Sequence, residues 1–274
     1  MSNILIGIHG LSNKPEANVL AEWWEAAIKE GLMKNEGIDN PEIEFSSVYW
    51  ADVLYPEPDN NPDSYNEAKE EALKTYEESW TDSVRTGLFN WGGNIIDSMK
   101  KNFGMDAMAD EVLEHKLPDL YRYYEEEDIR KELRKRLNDE ILRHKEKRIM
   151  ILSHSMGTII AYDVLRAIGK EYPRMVVDHF VTLGSPLGLP HVKYKIAQES
   201  SLVRTPSIVM NWSNFADKRD PVALDVHLAG DYAPNTNGVK VKDDLIANDW
   251  EGIHHKSYGY LRAPEVSKLI KSFI

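Results

Sequence analysis

The stretch Ile149-Met150-Ile151-Leu152-Ser153-His154-Ser155-Met156-Gly157-Thr158-Ile159-Ile160-Ala161-Tyr162 limits what this chain can fold into more than any other segment. Its first half is a short apolar run, the pattern of a parallel strand buried on both faces. Its second half favours helix from Met156 onward, and no residues are left between the two for a loop. The backbone must therefore turn at Ser155 itself. So tight a turn needs small neighbours, and Ser153 and Gly157 supply them. A strand running straight into a helix predicts a mostly parallel sheet with helices on both faces.

The rest of the chain repeats this alternation. Ile4 to Ile8 reads as a buried strand ending at His9-Gly10, Glu16 to Met33 as an amphipathic helix, and Ile43 to Trp50 as a strand. After the central motif, strands are expected at Val176 to Leu183 and Ser207 to Trp212, and a last helix at Pro264 to Phe273. Between residues 56 and 145 a Pro/Asp/Asn-rich entry leads into charge-rich, helix-favouring sequence without convincing strands. This predicts an inserted helical cap (56–145) on an α/β core made of residues 1–55 and 146–274. In the cap, Trp80, Val84, Leu88, Trp91, Ile95, Met99, Phe103, Met105 and Met108 supply apolar faces, with breaks at Gly92-Gly93 and Gly104. They either face an acyl pocket or pack the cap onto the core, which is the commoner use of such stripes. Glu125 to Lys147 carries mixed charges at i,i+4 spacing, the mark of a solvated helix face.

Composition narrows the function. A net charge of −12 disfavours nucleic acid and anionic membranes as partners. There is no cysteine, which excludes disulfides, thiolate metal sites and cysteine nucleophiles. No uncharged apolar run approaches the roughly 20 residues of a membrane span, so stable membrane insertion is not expected. The first residues lack a basic leader pattern, and a cytoplasmic location is expected.

Strand, Ser155 and helix together have the form of a nucleophile elbow, G-x-S-x-G, in which the strained turn lifts a serine hydroxyl above the sheet. Ser153 stands where the first glycine would be. The simpler reading is that Ser155 only caps a helix. Chain order speaks against it, because a serine followed by an acid and then a histidine is the order used with this elbow. Asn214-Phe215-Ala216-Asp217-Lys218-Arg219-Asp220-Pro221-Val222 follows the expected strand where an acid belongs, and His254-His255 precede the last helix.

With His9-Gly10-Leu11 ending the first strand, the chain resembles the α/β-hydrolase superfamily, especially its lipase- and esterase-like members. The resemblance spans Ile4 to Leu11, Ile149 to Leu165, Val181 to Leu187, Ile208 to Val222 and His254 to Leu261. It implies an α/β-hydrolase fold and an oxyanion hole formed by the backbone N–H groups of Leu11 and Met156, with His9 ordering the loop. Asp220, in Asp-Pro-Val, resembles the usual acid position, with Asp217 its rival. His255, in His255-Lys256-Ser257-Tyr258, is similar to the histidine of an H-x-x-Y pattern in some relatives, with His254 its rival. Gly184-Ser185-Pro186 looks like a structural turn of the same family.

These residues predict a serine hydrolase that needs no cofactor or metal and acts on a small-molecule or lipid acyl ester. Ser155 would be the nucleophile, His255 the base and Asp220 its orienting acid. Two other readings stay open. One is a catalytically silent module on the same fold. The other is a metal-dependent hydrolase using His254, His255, Asp217, Asp220, Asp243, Asp244 and Asp249, for which no ligand spacing speaks. Acyl chain length, ester against thioester or amide, and oligomeric state are left open by the sequence.

Overall fold

The computed structural model describes residues 2–69, 73–77, 117–200, 202–223, 225–252 and 254–274. Apolar alternation sets its layers. On strands β1 (Asn3–Ile8) and β3 (Arg148–His154), Ile4, Ile6, Ile8, Ile149 and Ile151 point into one core, whereas Leu5, Met150 and Leu152 point into a second. Both faces are thus apolar and both must be covered by helices.

The described strands form one six-stranded sheet in the order β2-β1-β3-β4-β5-β6, and every neighbouring pair is parallel. The flanking strands are β2 (Phe45–Val48), β4 (His179–Leu183), β5 (Trp212–Ala216) and β6 (Val241–Leu245). The chain passes from β1 outward to β2 and then back across to β3. Strand order therefore reverses between β1 and β3, and at such a point the loops leaving the carboxyl ends diverge and open a crevice.

Two helices cover the second face together with a short one: α1 (Ala17–Glu36), α7 (Ser257–Leu261) and α8 (Pro264–Phe273). Leu20, Trp24, Ala27, Ile28 and Leu32 of α1 meet Val266, Ile270 and Phe273 of α8 in that core. The first face is covered by α3 (Pro118–Glu125), α4 (Glu127–Arg143) and α5 (Met156–Glu171), while α2 (Ala51–Leu54) and α6 (Pro190–Ser200) lie at its margins. No helix among the described residues is long and apolar enough to cross a membrane.

Three segments differ from the sequence reading. The fifth strand begins at Trp212, where the expected one ended, because Ile208 and Val209 are buried in a turn after Pro206. Val241–Leu245, left unplaced by the sequence, is the edge strand β6. In it Asp243 accepts the Leu228 and Ala229 N–H groups at 2.9 and 2.8 Å and Asn214 Nδ2–H at 2.9 Å. Residues 118–143, within the stretch assigned to the cap, form the crossover between β2 and β3. The charged face of α4 is solvated, but Ile129, Leu133, Leu137 and Ile141 recur at fourfold spacing on its other face and are buried against the sheet. Residues 78–116, which hold the tryptophans and methionines read as either facing an acyl pocket or packing the cap onto the core, lie outside the described residues.

Candidate active site

The crevice where strand order reverses holds His9 and Gly10 from the end of β1 and Ser155 from the end of β3. Ser155 has φ 52° and ψ −129°, a left-handed conformation that costs a side-chain-bearing residue about 1–3 kcal/mol. The surroundings hold it there. Its N–H donates to Leu183 O at 3.0 Å, extending the β3–β4 ladder, and its carbonyl accepts Thr158 N–H at 2.9 Å and Thr158 Oγ1–H at 2.7 Å. Ser153 fits in place of glycine because its hydroxyl turns into the sheet and donates to Val181 O at 2.7 Å.

Two glycines let the elements close on each other. A Cβ on Gly157 would lie 2.5 Å from His9 O and 2.7 Å from Ile8 O, so any larger residue would push α5 away from β1. A Cβ on Gly10 would lie 2.6 Å from Ser155 Cβ and 3.1 Å from its Oγ. The loop after β1 therefore touches the serine directly. Met156 is the first residue of α5, so its N–H has no helical acceptor and sits at the positive end of a 16-residue helix. Leu11 lines the same cleft.

Ser155, His255 and Asp220 form one hydrogen-bonded line. His255 Nε2 is 2.8 Å from Ser155 Oγ, and His255 Nδ1 is 2.7 Å from Asp220 Oδ2. A carboxylate only accepts, so Nδ1 carries the proton and Nε2 is left as acceptor for the serine O–H. Asp220 is fully buried and all its partners are donors. Oδ1 accepts Val222 N–H at 2.8 Å and Ala223 N–H at 3.3 Å, and Oδ2 also accepts Tyr260 O–H at 2.6 Å. These hydrogen bonds offset the desolvation of the carboxylate.

The rival residues sit elsewhere. Asp217 turns away to bind Arg219, through its backbone N–H at 2.7 Å and Nη2 at 2.6 Å, and Asn248 N–H at 2.7 Å. His254 Nδ1 bonds Asn248 O at 2.9 Å. Both build the loop from which His255 projects. Ser185 caps a short turn, accepting Leu187 N–H at 3.2 Å and bonding Thr158 Oγ1 at 2.8 Å. Among the described residues no three His, Asp or Glu side chains converge as metal ligands would.

His9 has the loop-ordering geometry. Its ring stacks on Trp50 at 4.5 Å, its Nδ1–H donates to Gly10 O at 2.8 Å, and its Nε2 accepts Trp50 N–H at 3.0 Å. Burial, then the charge of Lys14, holds its pKa well below the ordinary histidine value, so it stays neutral. Sequence reasoning gave no role to His154 or Tyr260. His154 Nε2–H donates to His255 O at 2.7 Å, its ring packing 4.7 Å from the His255 ring. Burial, and then repulsion from the His255 ring whenever that ring carries a charge, keep it neutral too. Burial and the Asp220 charge push the Tyr260 phenol well above its usual range, so it remains a donor to the carboxylate. Adjacency to Ser155 was the one sequence signal for His154, and nothing in the spacing marks Tyr260.

These groups open on a cleft of about 550 Å³. Leu11, Leu20, Trp23, Val222 and Tyr258 give it apolar walls, and Asp59, Pro62 and Asp63 border it from the start of the 56–145 stretch. The arrangement can polarise a hydroxyl and take up its proton, with backbone donors and an apolar cavity beside it. Compared with models of known protein families and with curated proteins, the chain matches none.

Proposed function

We propose that this chain is a serine hydrolase of the α/β-hydrolase fold, cleaving a carboxylic ester through an acyl-enzyme. The observation that carries this reading is the unbroken line from Ser155 Oγ through His255 to Asp220, at 2.8 and 2.7 Å. A silent module has no need to keep its serine within hydrogen-bond reach of an imidazole that a buried carboxylate orients.

In the reaction, His255 Nε2 takes the proton of Ser155 Oγ as the oxygen attacks the ester carbonyl. Asp220 holds the ring and stabilises the imidazolium. The tetrahedral oxyanion is received by the N–H groups of Leu11 and Met156, each such donor being worth about 3–4 kcal/mol in comparable sites. Collapse breaks the bond to the alcohol, which leaves with the proton from His255. Water then attacks the acyl-Ser155, giving up a proton to His255, and the acid is released as Ser155 Oγ recovers that proton. The apolar walls favour an apolar acyl group.

Labelling with a fluorophosphonate probe, followed by mass-spectrometric location of the adduct, tests the reading. Labelling at Ser155 that is lost in a folded Ser155→Ala variant is expected. A folded wild-type chain that stays unlabelled at Ser155 sinks it.

A further inference from the structure

The donor assigned to Leu11 belongs to a short loop whose peptide planes are held from three sides. The Gly10–Leu11 peptide is planar and trans, so its N–H points opposite to its C=O. His9 Nδ1–H grips that C=O at 2.8 Å and so aims the Leu11 N–H. The next peptide is gripped at both ends: Asp119 Oδ2 accepts Ser12 N–H at 2.5 Å, and the Lys14 ammonium donates to Leu11 O. Lys14 Nζ also donates to Ser12 O at 2.7 Å and Asn13 O at 3.3 Å. Ser12 itself has φ 72°, a strained value that these bonds sustain.

An ammonium has three N–H donors, and here three backbone carbonyls receive them. A neutral amine has two donors and a lone pair, so it must release at least one carbonyl and turn the lone pair toward the others. We propose that Lys14 is a positioning residue for the oxyanion hole, holding Leu11 in register only while its side chain is charged. This rests on Ser155 being the nucleophile.

The surroundings bring the loss of that charge into a working pH range. Burial is the largest influence and lowers the Lys14 pKa to about 7. Asp119 on α3 and Asp59 in the loop after α2 favour the charge, while Lys256, before α7, opposes it. Lys256 is itself paired with Asp63 at 2.7 Å. His9 and His154, at the ends of β1 and β3, stay neutral and do not compete. Activity then needs Lys14 protonated, so the rate should fall as pH rises through this range.

The test compares wild type, Lys14→Arg and Lys14→Met from pH 5.5 to 9.5, by hydrolysis of p-nitrophenyl acetate and by the rate of fluorophosphonate labelling at Ser155. Circular dichroism checks that each is folded. Wild type should lose activity with a midpoint near 7. Lys14→Met should lower kcat about tenfold or more, with KM nearly unchanged and no alkaline fall, since a misaimed donor forfeits part of the roughly 100- to 1,000-fold worth of that bond. Arg does not lose its proton in this range, so Lys14→Arg should also abolish the alkaline fall. An alkaline fall that persists in Lys14→Arg, or a folded Lys14→Met with wild-type kcat and pH profile, overturns the proposal while labelling at Ser155 leaves the hydrolase reading standing. Absence of labelling in wild type overturns both.

Discussion

Replacing Asp220 by Asn changes one atom, and the hydrogen bonds dictate which one. Val222 and Ala223 present fixed N–H donors to Oδ1, so the Asn oxygen must occupy that side. Its NH₂ then faces His255 Nδ1 and Tyr260 O–H, where the carboxylate accepted two hydrogen bonds. The tyrosine can rotate to accept. The imidazole can accept only by moving its proton to Nε2, and that nitrogen then donates to Ser155 and can no longer act as base. Restoring the active tautomer sets two donors against each other, about 1–3 kcal/mol. Loss of the carboxylate charge beside the imidazolium removes about 3–4 kcal/mol more at an effective dielectric of about 20. On the proposed mechanism the sum, about 4–7 kcal/mol, predicts a fall in kcat of about 10³- to 10⁵-fold, with little change in KM. Stopped or initial-rate hydrolysis of p-nitrophenyl acetate measures it, with Asp217→Asn as comparison. Asp217 serves Arg219 and Asn248, so Asp217→Asn should lose about 1–3 kcal/mol of stability and keep kcat within several-fold. An Asp220→Asn variant within tenfold of wild type, or an inactive but folded Asp217→Asn, refutes the reasoning.

Ser155→Gly should abolish labelling yet stabilise the chain by about 1 kcal/mol, seen as a melting temperature raised by a few degrees, because glycine adopts the positive φ without strain. An unchanged or lowered melting temperature would show that the elbow stores no strain. Tyr260→Phe removes one donor from Asp220 and leaves the Asp217 N–H without its phenolic acceptor, so a loss of about 1–3 kcal/mol in urea unfolding is expected. Stability should also decline with acid below pH 6.5. His9 and His154 resist protonation when folded and accept it when unfolded, so the unfolded state binds more protons there. Above pH 6.5 both states are neutral at these rings and no such dependence remains. Chemical denaturation at pH 5, 6, 7 and 8 checks the sign, and a His154→Gln variant should show a shallower acid slope.

What could be read in the sequence was what short-range pattern encodes. β1, β3, α5 and α8 are apolar runs with the right period, and each lies within a few residues of its expected bounds. Ser155 could be named from the tight turn, chain order narrowed the acid and base to Asp217 or Asp220 and His254 or His255, and the family resemblance pointed to Asp220 and His255; the structure brings Ser155, Asp220 and His255 together. β6 was not legible: Val-Lys-Asp-Asp-Leu is a poor strand by composition, and it becomes one only when Asp243 finds Asn214 and the backbone of residues 228 and 229. Lys14, Asp119, His154 and Tyr260 were likewise silent. Their partners are mostly remote in sequence or are main-chain atoms, which leave no compositional trace. The mixed charges of α4 drew attention to its solvated face and away from the apolar stripe opposite.

The pairing of β1 with β3 also dictates when this molecule becomes competent. Asn3 lies beside Arg148, so the two central strands are joined by a closed loop of about half the chain. Closing so long a loop costs little more than closing one half its length, about 0.6 kcal/mol per doubling, and the interval between β2 and β3 can therefore vary in length at small thermodynamic expense. The cost appears in time instead. On the ribosome β1 can pair early with β2, yet its other neighbour, β3, is not synthesised until the long stretch after β2 has followed, whereas β3, α5 and β4 are contiguous and can assemble as they appear. The loop carrying Leu11 and Lys14 is then seated late, when β1 docks onto a preformed elbow. In refolding, secondary structure measured by circular dichroism should return before reactivity at Ser155, and the lag between the two is the docking time of the first strand.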